Sequence, residues 1–224
     1  MQNRNFSSVA RLSDSALATN SVIRNTFILL GLSFLFSSAM AGVSMATRAP
    51  SFGFLFTLVG FMFFSWLVGT LRNSAWGILA VFGLTGFMGF TLGPLLNQIL
   101  ESFSNGSQII FTALGGTGII FFGLSGYALT TRKDFSYLGG FLMVGLMAIF
   151  VAMIAGMFFH MPAFNLAISA LAVMLMSGFV LLDLSRIING GETNYIMATV
   201  SIFASLFNIF INLLNLLSAL SGRD

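Results

Sequence analysis

Long apolar runs constrain this sequence more than any other feature. A helix needs about 20 residues to cross roughly 30 Å of hydrocarbon, and backbone polar groups in lipid must bond within their own helix. Each apolar run approaches or exceeds that length. The sequence therefore predicts an all-α integral membrane protein, a bundle of seven transmembrane helices. The predicted spans are residues 26–46, 52–71, 76–96, 108–130, 135–159, 163–188 and 195–220.

The composition excludes several other classes of protein. Only 7% of the residues are charged, whereas soluble domains have about 25%. The absence of cysteine excludes disulfides, thiolate metal sites and cysteine nucleophiles. Nine basic residues against six acidic ones are too small and too scattered an excess for a nucleic-acid interface. We expect neither a cofactor nor a nucleic-acid partner.

The first 25 residues differ in composition from the rest. They are polar, rich in Ser and Asn, and show no continuous apolar helical face. We interpret residues 1–25 as a flexible cytoplasmic tail and residues 26–224 as the transmembrane domain. Ala39 and Ala41 resemble a signal-peptidase site, but the polar lead and the length of the run favour a retained first span.

The basic residues predict the orientation of the bundle. With the N-terminus inside, seven basic residues face the cytoplasm and two, Arg48 and Arg223, face outward. This bias satisfies the positive-inside rule and predicts an N-in, C-out topology. The seven are Arg4, Arg11, Arg24, Arg72, Arg132, Lys133 and Arg186.

Glycines in the third and fourth runs recur at helix-packing intervals. Gly89 and Gly93 are four residues apart, a spacing that lets two helix backbones approach closely in lipid. Pro94 follows directly, so we expect the third helix to stop or kink there.

A line of polar residues runs along the last apolar run. The residues are spaced four, three, four and three apart, so they share one face of a helix. In hydrocarbon, unsatisfied amides are costly, so this face should point toward protein or water and the helix should lie inside the bundle. The amides either hydrogen-bond between helices or line a wet path. The residues are Ser201, Ser205, Asn208, Asn212 and Asn215.

Asp183 is the one acidic residue that overlaps a predicted span. Arg186 is three residues away on the same helical face and can pair with it near the membrane boundary. Alternatively, the carboxylate faces the bundle and acts as a proton-sensitive latch or cation ligand. Contact with Asn208 would require the seventh helix to begin late.

The sequence lacks a convincing catalytic set. Gly123 to Gly126 reads GLSG and resembles the motif of intramembrane serine proteases, with His160 as the only histidine. The predicted topology places Ser125 near the cytoplasmic end of the fourth helix and His160 at the far end of the fifth helix, too far apart for a nucleophile and its base. No P-loop, HExxH or metal-binding pattern is present in the sequence, and we predict a protein that is not an enzyme.

Three strings carry a family resemblance: residues 92–97, 113–142 and 190–214. They resemble the Bax inhibitor-1 superfamily, and within it the bacterial YccA-type modulators of FtsH protease. The resemblance implies a seven-helix bundle in the bacterial inner membrane. It also implies association with the membrane-anchored AAA protease FtsH and its HflK/HflC partners, with the N-terminal tail as the part that the protease engages.

The resemblance also implies an alternative, because other branches of that superfamily are described as pH-sensitive calcium leaks controlled by two Asp residues. Asp183 matches the first of these, whereas the second position is Asn208. One carboxylate lacks the like-charge repulsion on which a two-carboxylate latch depends. The alternative function is therefore a cation leak gated at Asp183, with Ser201, Ser205, Asn208 and Asn212 lining the path.

Overall fold

The protein is all-helical over the residues that the structure, a computed structural model, describes. These are residues 3–158 and 161–222, and the side chains described begin at residue 20 and omit positions 54, 157 and 158. This part of the chain contains seven α-helices and no strand, which confirms the predicted all-α class. The helices are α1 (Asn3–Ala46), α2 (Phe54–Leu71), α3 (Trp76–Ser102), α4 (Gly106–Thr131), α5 (Leu138–Phe158), α6 (Pro162–Ile188) and α7 (Tyr195–Ser221).

Six of the described helices are long and apolar enough to cross a membrane, and α2 is shorter. After α1 the chain has no regular secondary structure from Ala49 to Gly53, before α2 begins. Asn97 of α3 donates a hydrogen bond to the Met45 carbonyl near the end of α1, whereas the ring of Phe52 packs against that of Phe90 at a tilt of 47°. The contacts of the two segments on α3 are seven residues apart, so the start of α2 lies about 10 Å closer to the middle of α3 than the end of α1 does. A seventh crossing remains a prediction.

α1 is longer than the first predicted span. Its 44 residues extend about 66 Å, roughly twice the hydrocarbon thickness. It includes most of the segment for which the sequence predicts a tail. Its spanning part is Asn20–Ala46. No glycine or proline precedes Gly31, and extending a helix that already exists costs little.

The sequence predicts that the third helix stops or kinks at Pro94, and the first of these outcomes is wrong. α3 continues through Pro94 to Ser102. Immediately before the proline, Gly93 lies against Ser44 of α1, and Gly89 lies against the Ser37 backbone. This close contact between α1 and α3 supports the helix on both sides of the hydrogen bond that proline removes.

α7 is the central helix of the bundle, but the face that it buries is the apolar one, whereas Ser201, Asn208 and Asn215 on the polar face are exposed. In the described part of the chain it contacts every helix except α5. Its apolar face is fully buried, with Ile202, Phe203, Leu206 and Ile209 each at most 1% exposed. By contrast, α5 contacts only α6 among the described helices. The bundle therefore has a well-packed centre and one peripheral helix.

Three turns meet at one end of the bundle and are hydrogen-bonded to neighbouring helices. Asn194 donates to the Arg72 carbonyl and to Asn73, joining the α6–α7 turn to the α2–α3 turn. Ser185 accepts from the Phe135 backbone and donates to the Lys133 carbonyl, joining α6 to the α4–α5 turn. Most of the basic residues predicted to be cytoplasmic lie at this end, namely Arg24, Arg72, Arg132, Lys133 and Arg186.

Candidate functional site

A buried carboxylate joins α6 to α7. The hydroxyl of Ser201 donates to Oδ2 of Asp183 over 2.5 Å, and Asp183 is only 8% exposed. The structure thus brings together two of the residues that the sequence singles out. Asp183 faces the bundle, and its partner is a neutral hydroxyl on the central helix.

The α6–α7 turn determines this pairing. α6 ends at Ile188, Gly190 has a positive φ of 76°, and α7 begins at Tyr195. The Asn194 side chain accepts hydrogen bonds from the Ile196 and Met197 backbone amides, which fixes the first turn of α7. The centre of the turn falls near residue 192, so Asp183 lies level with Ser201. Asn208 is about 10 Å further along α7.

Arg186 points toward a different neighbour. Its side chain is exposed, and a Cβ placed on Gly139 would lie 3.5 Å from its guanidinium. The guanidinium therefore lies over the first turn of α5. Asp183 accepts its hydrogen bond from Ser201. The exposed Arg186 side chain lies with the other basic residues at that end of the bundle.

The α4–α5 turn is stabilised by its own carboxylate. Oδ1 of Asp134 accepts from the Ser136 backbone amide over 2.8 Å. Hydrogen bonds from the Ser136 side chain and backbone hold the pKa of Asp134 below its ordinary value of 3.8. Asp134 therefore remains ionised at neutral pH and stabilises the turn that precedes α5.

The asparagines of α7 do not join neighbouring helices through the bonds described. Asn208 donates to the Ala204 carbonyl over 2.9 Å, and Asn212 donates to the Asn208 carbonyl over 2.8 Å. Both bonds lie within α7, so neither Asn208 nor Asn212 makes the interhelical hydrogen bond that was one of the two predicted roles of these amides. The amide group is long enough to reach the carbonyl four residues earlier in the same helix.

These asparagines instead line a cleft between α5, α6 and α7. Its volume is about 760 Å³. Asn208, Asn212 and Asn215 line it along α7, and Ser205, one turn before Asn208, is buried. The other lining residues are Leu146, Ile149, Phe150, Met153, Gly156, Pro162, Asn165, Leu166, Ile168, Ser169, Ala172, Met176, Ile211 and Ala219.

The cleft and the Asp183 contact are separate features. Met176 is the lining residue of α6 closest in sequence to Asp183, and seven residues of helix separate them by about 10 Å. No lining residue is charged. The predicted polar line therefore divides into a hydrogen bond to Asp183 at Ser201, a buried Ser205, and three amides in an uncharged cleft.

Two polar residues of this cleft were not predicted from the sequence. Asn165 and Ser169 lie one turn apart on α6 and line the same cleft as the α7 asparagines. Their four-residue spacing was visible in the sixth predicted span. The position of α5 could not be predicted, because a uniformly apolar helix has no polar face that would indicate which neighbouring helix it contacts.

Of the two residues predicted to be far apart, Ser125 and His160, the structure describes only Ser125. Ser125 is buried, and its hydroxyl has no hydrogen-bond partner among the described atoms. His160 lies outside the described residues. Within the described ranges, no three His, Cys, Asp or Glu side chains are grouped so as to hold a metal ion.

The fold and the site define a class of protein: a multi-helix membrane protein with an uncharged intramembrane cleft. The model of the family described as "Inhibitor of apoptosis-promoting Bax1" matches residues 19–222. The chain belongs to this family. The resemblance predicted from the three sequence strings is thereby confirmed.

Bacterial relatives match over nearly the whole chain. The chain is 46% identical over 210 residues, 94% of each chain, to the protein named "Modulator of FtsH protease YccA" of Escherichia coli strain K12. It is 46% identical over 203 residues, 91% of each chain, to an uncharacterized protein of Pseudomonas aeruginosa. It is also 38% identical to an uncharacterized membrane protein of Vibrio cholerae, over 94% of this chain and 95% of the relative.

Proposed function

We propose that this protein is a regulatory inner-membrane protein that binds the membrane-anchored protease FtsH and restrains its proteolysis of membrane substrates. The observation that carries the proposal is full-length similarity: 46% identity over 94% of each chain to a protein named as a modulator of FtsH protease. A relative at the same identity is named "Inner membrane protein YccA". The names of these relatives describe modulation or membrane location rather than an enzymatic reaction.

The chain carries features that suit a slowly degraded competing substrate. An N-terminal segment precedes the span Asn20–Ala46, and it lies on the side of the basic turns. The positive-inside rule supports a cytoplasmic position for that side, where a AAA protease can engage the segment, and a periplasmic C-terminus if α2 also crosses. The close α1–α3 contact at Gly89 and Gly93 would resist extraction of the engaged helix. HflK/HflC belong to this proposal as further partners.

The cation leak is less well supported. Its gate, Asp183, is bound to Ser201 and lies about 10 Å along α6 from the cleft. The second gating carboxylate is replaced by Asn208, which donates within its own helix. The geometry therefore favours a binding protein over a channel controlled by two interacting carboxylates.

Copurification tests the proposed function directly. Tagged protein solubilised from membranes in mild detergent should retain FtsH, and HflK/HflC with it. An unrelated multi-helix protein with the same tag, expressed to the same level, is the control. FtsH recovery no greater than with that control would contradict the proposal.

A further inference from the structure

The cleft between α5, α6 and α7 has polar groups at a depth where lipid offers none. Asn208 is near the middle of α7, about 20 Å from either end of the helix. Asn212 and Asn215 continue the line for about another 10 Å. Opposite them, Ser169 lines the cleft and is only 7% exposed. These groups therefore lie within the hydrocarbon region of a spanning helix.

The amides retain hydrogen-bonding capacity toward the cleft. The bonds of Asn208 and Asn212 within α7 both use the side-chain nitrogen as donor. With respect to the described residues, both amide oxygens remain able to accept. An unsatisfied amide is costly in hydrocarbon, so an occupant that donates hydrogen bonds at several depths would stabilise this arrangement.

The distribution of the polar groups favours a helix over a lipid as that occupant. A lipid carries its polar groups at one end, whereas this cleft presents amides along roughly 10 Å of its length. A transmembrane helix with uncharged polar residues on one face presents them at the same repeat. No lining residue is charged, which argues against a charged ligand.

The size and walls of the cleft suit two turns of such a helix. A helix of 10 to 12 Å diameter occupies about 800 to 1,100 Å³ over 10 Å of length, and the cleft holds about 760 Å³. One wall, α5, contacts only α6 among the described helices, so it can move without breaking contacts to α7. Phe150 and Met153 line this wall, and methionine adapts to irregular surfaces.

We infer that this cleft is the docking site for a transmembrane helix of the protein's partner, one that carries uncharged hydrogen-bonding side chains on the face it presents. The inference rests on the proposed function, which identifies the partner as FtsH. It assigns the contact to α5, α6 and α7, and it assigns the recognition to Asn208, Asn212 and Asn215.

Site-specific photocrosslinking in membranes tests the location. Benzoylphenylalanine at Phe150 lies in the cleft, and at Phe122, which is 72% exposed on α4 and outside the cleft, it is the matched control. With FtsH co-expressed, Phe150 should crosslink to a transmembrane peptide of FtsH and Phe122 should not. Equal crosslinking at both positions, or crosslinks at Phe150 only to phospholipid, would overturn the inference.

Paired substitutions test the chemistry. Asn208→Leu with Asn212→Leu removes the amides, whereas Asn208→Ser with Asn212→Ser keeps polar groups there. The leucine pair should reduce FtsH copurification roughly five- to tenfold, as expected for two membrane hydrogen bonds, and the serine pair should reduce it less. Equal recovery by both pairs and the wild type would contradict the assignment of these amides.

The two proposals fail in different ways. If the wild type copurifies FtsH but Phe150 does not crosslink to it, the cleft is not the contact and the proposed function stands. If the wild type fails to copurify FtsH, both proposals are overturned. Should the leucine pair not elute as the wild type does in detergent, the crosslinking comparison still decides the location.

Discussion

A buried carboxylate requires a hydrogen-bond donor, and Asp183 has one in Ser201. The bond is 2.5 Å long and joins two helices that are adjacent in sequence. Ser201 could have been predicted from the sequence, because a turn centred near residue 192 places positions 183 and 201 at equal depth. The hydrogen-bond partners of the α7 amides could not have been predicted from the sequence. An asparagine can bond to its own helix or to a neighbouring helix with little difference in sequence pattern.

The Ser201→Ala substitution should destabilise the bundle. It leaves a buried acceptor without its donor, which costs about 1–3 kcal/mol. The control is Ser177→Ala on α6, whose hydroxyl bonds only the Val173 carbonyl of its own helix, and this change should stay within about 0.5 kcal/mol. Unfolding of both variants in detergent measures the difference. An equal effect of the two substitutions would show that the bond to Asp183 adds no stability.

At the scale of the helices, the close contact between α1 and α3 depends on glycine. A Cβ at Gly89 would collide with the Ser37 backbone, and one at Gly93 would collide with Ser44. The four-residue spacing predicted this contact but not which helix would make it. The same contact explains why α3 passes through Pro94, an outcome that local preferences around proline do not predict.

Gly89→Ala should therefore lower stability by about 1–3 kcal/mol, because the added methyl group overpacks the contact against backbone atoms. Gly115→Ala on α4 is the matched control, since a Cβ there meets nothing within 4 Å. The control should be neutral or slightly stabilising, as alanine is the better helix former. Thermal unfolding of both variants in the same detergent compares them, and a Gly89 variant as stable as the Gly115 variant would rule out a close α1–α3 contact.

The first and last residues of most helices could be predicted from the sequence, whereas which helices pack against each other could not. Predicted and observed ends of α7 agree within one residue, because length and apolarity determine a span. The offset of α2 depends on the irregular segment from Pro50 to Gly53. The cleft depends on α5, which contacts only α6 among the described helices. Apolar helices in lipid choose their neighbours by detailed packing, which hydropathy does not record.

For the whole molecule, the proposal joins a stable bundle to an N-terminal segment that a protease can engage. Removing residues 2–19 should lengthen the half-life of the protein in cells that contain FtsH. It should have no effect in cells that lack the protease. A Gly/Ser segment of the same length should restore degradation if length alone matters. Pulse-chase labelling measures the half-lives. An unchanged half-life after the deletion would show that the protease does not engage this segment.

Degradation in reconstituted vesicles measures whether binding of this protein restrains FtsH. Purified FtsH and a membrane substrate are combined with increasing amounts of this protein, or of an unrelated multi-helix protein as control. We expect the rate of substrate loss to fall as this protein is added and to stay constant with the control. A rate that is equal in both series would contradict the proposed restraint.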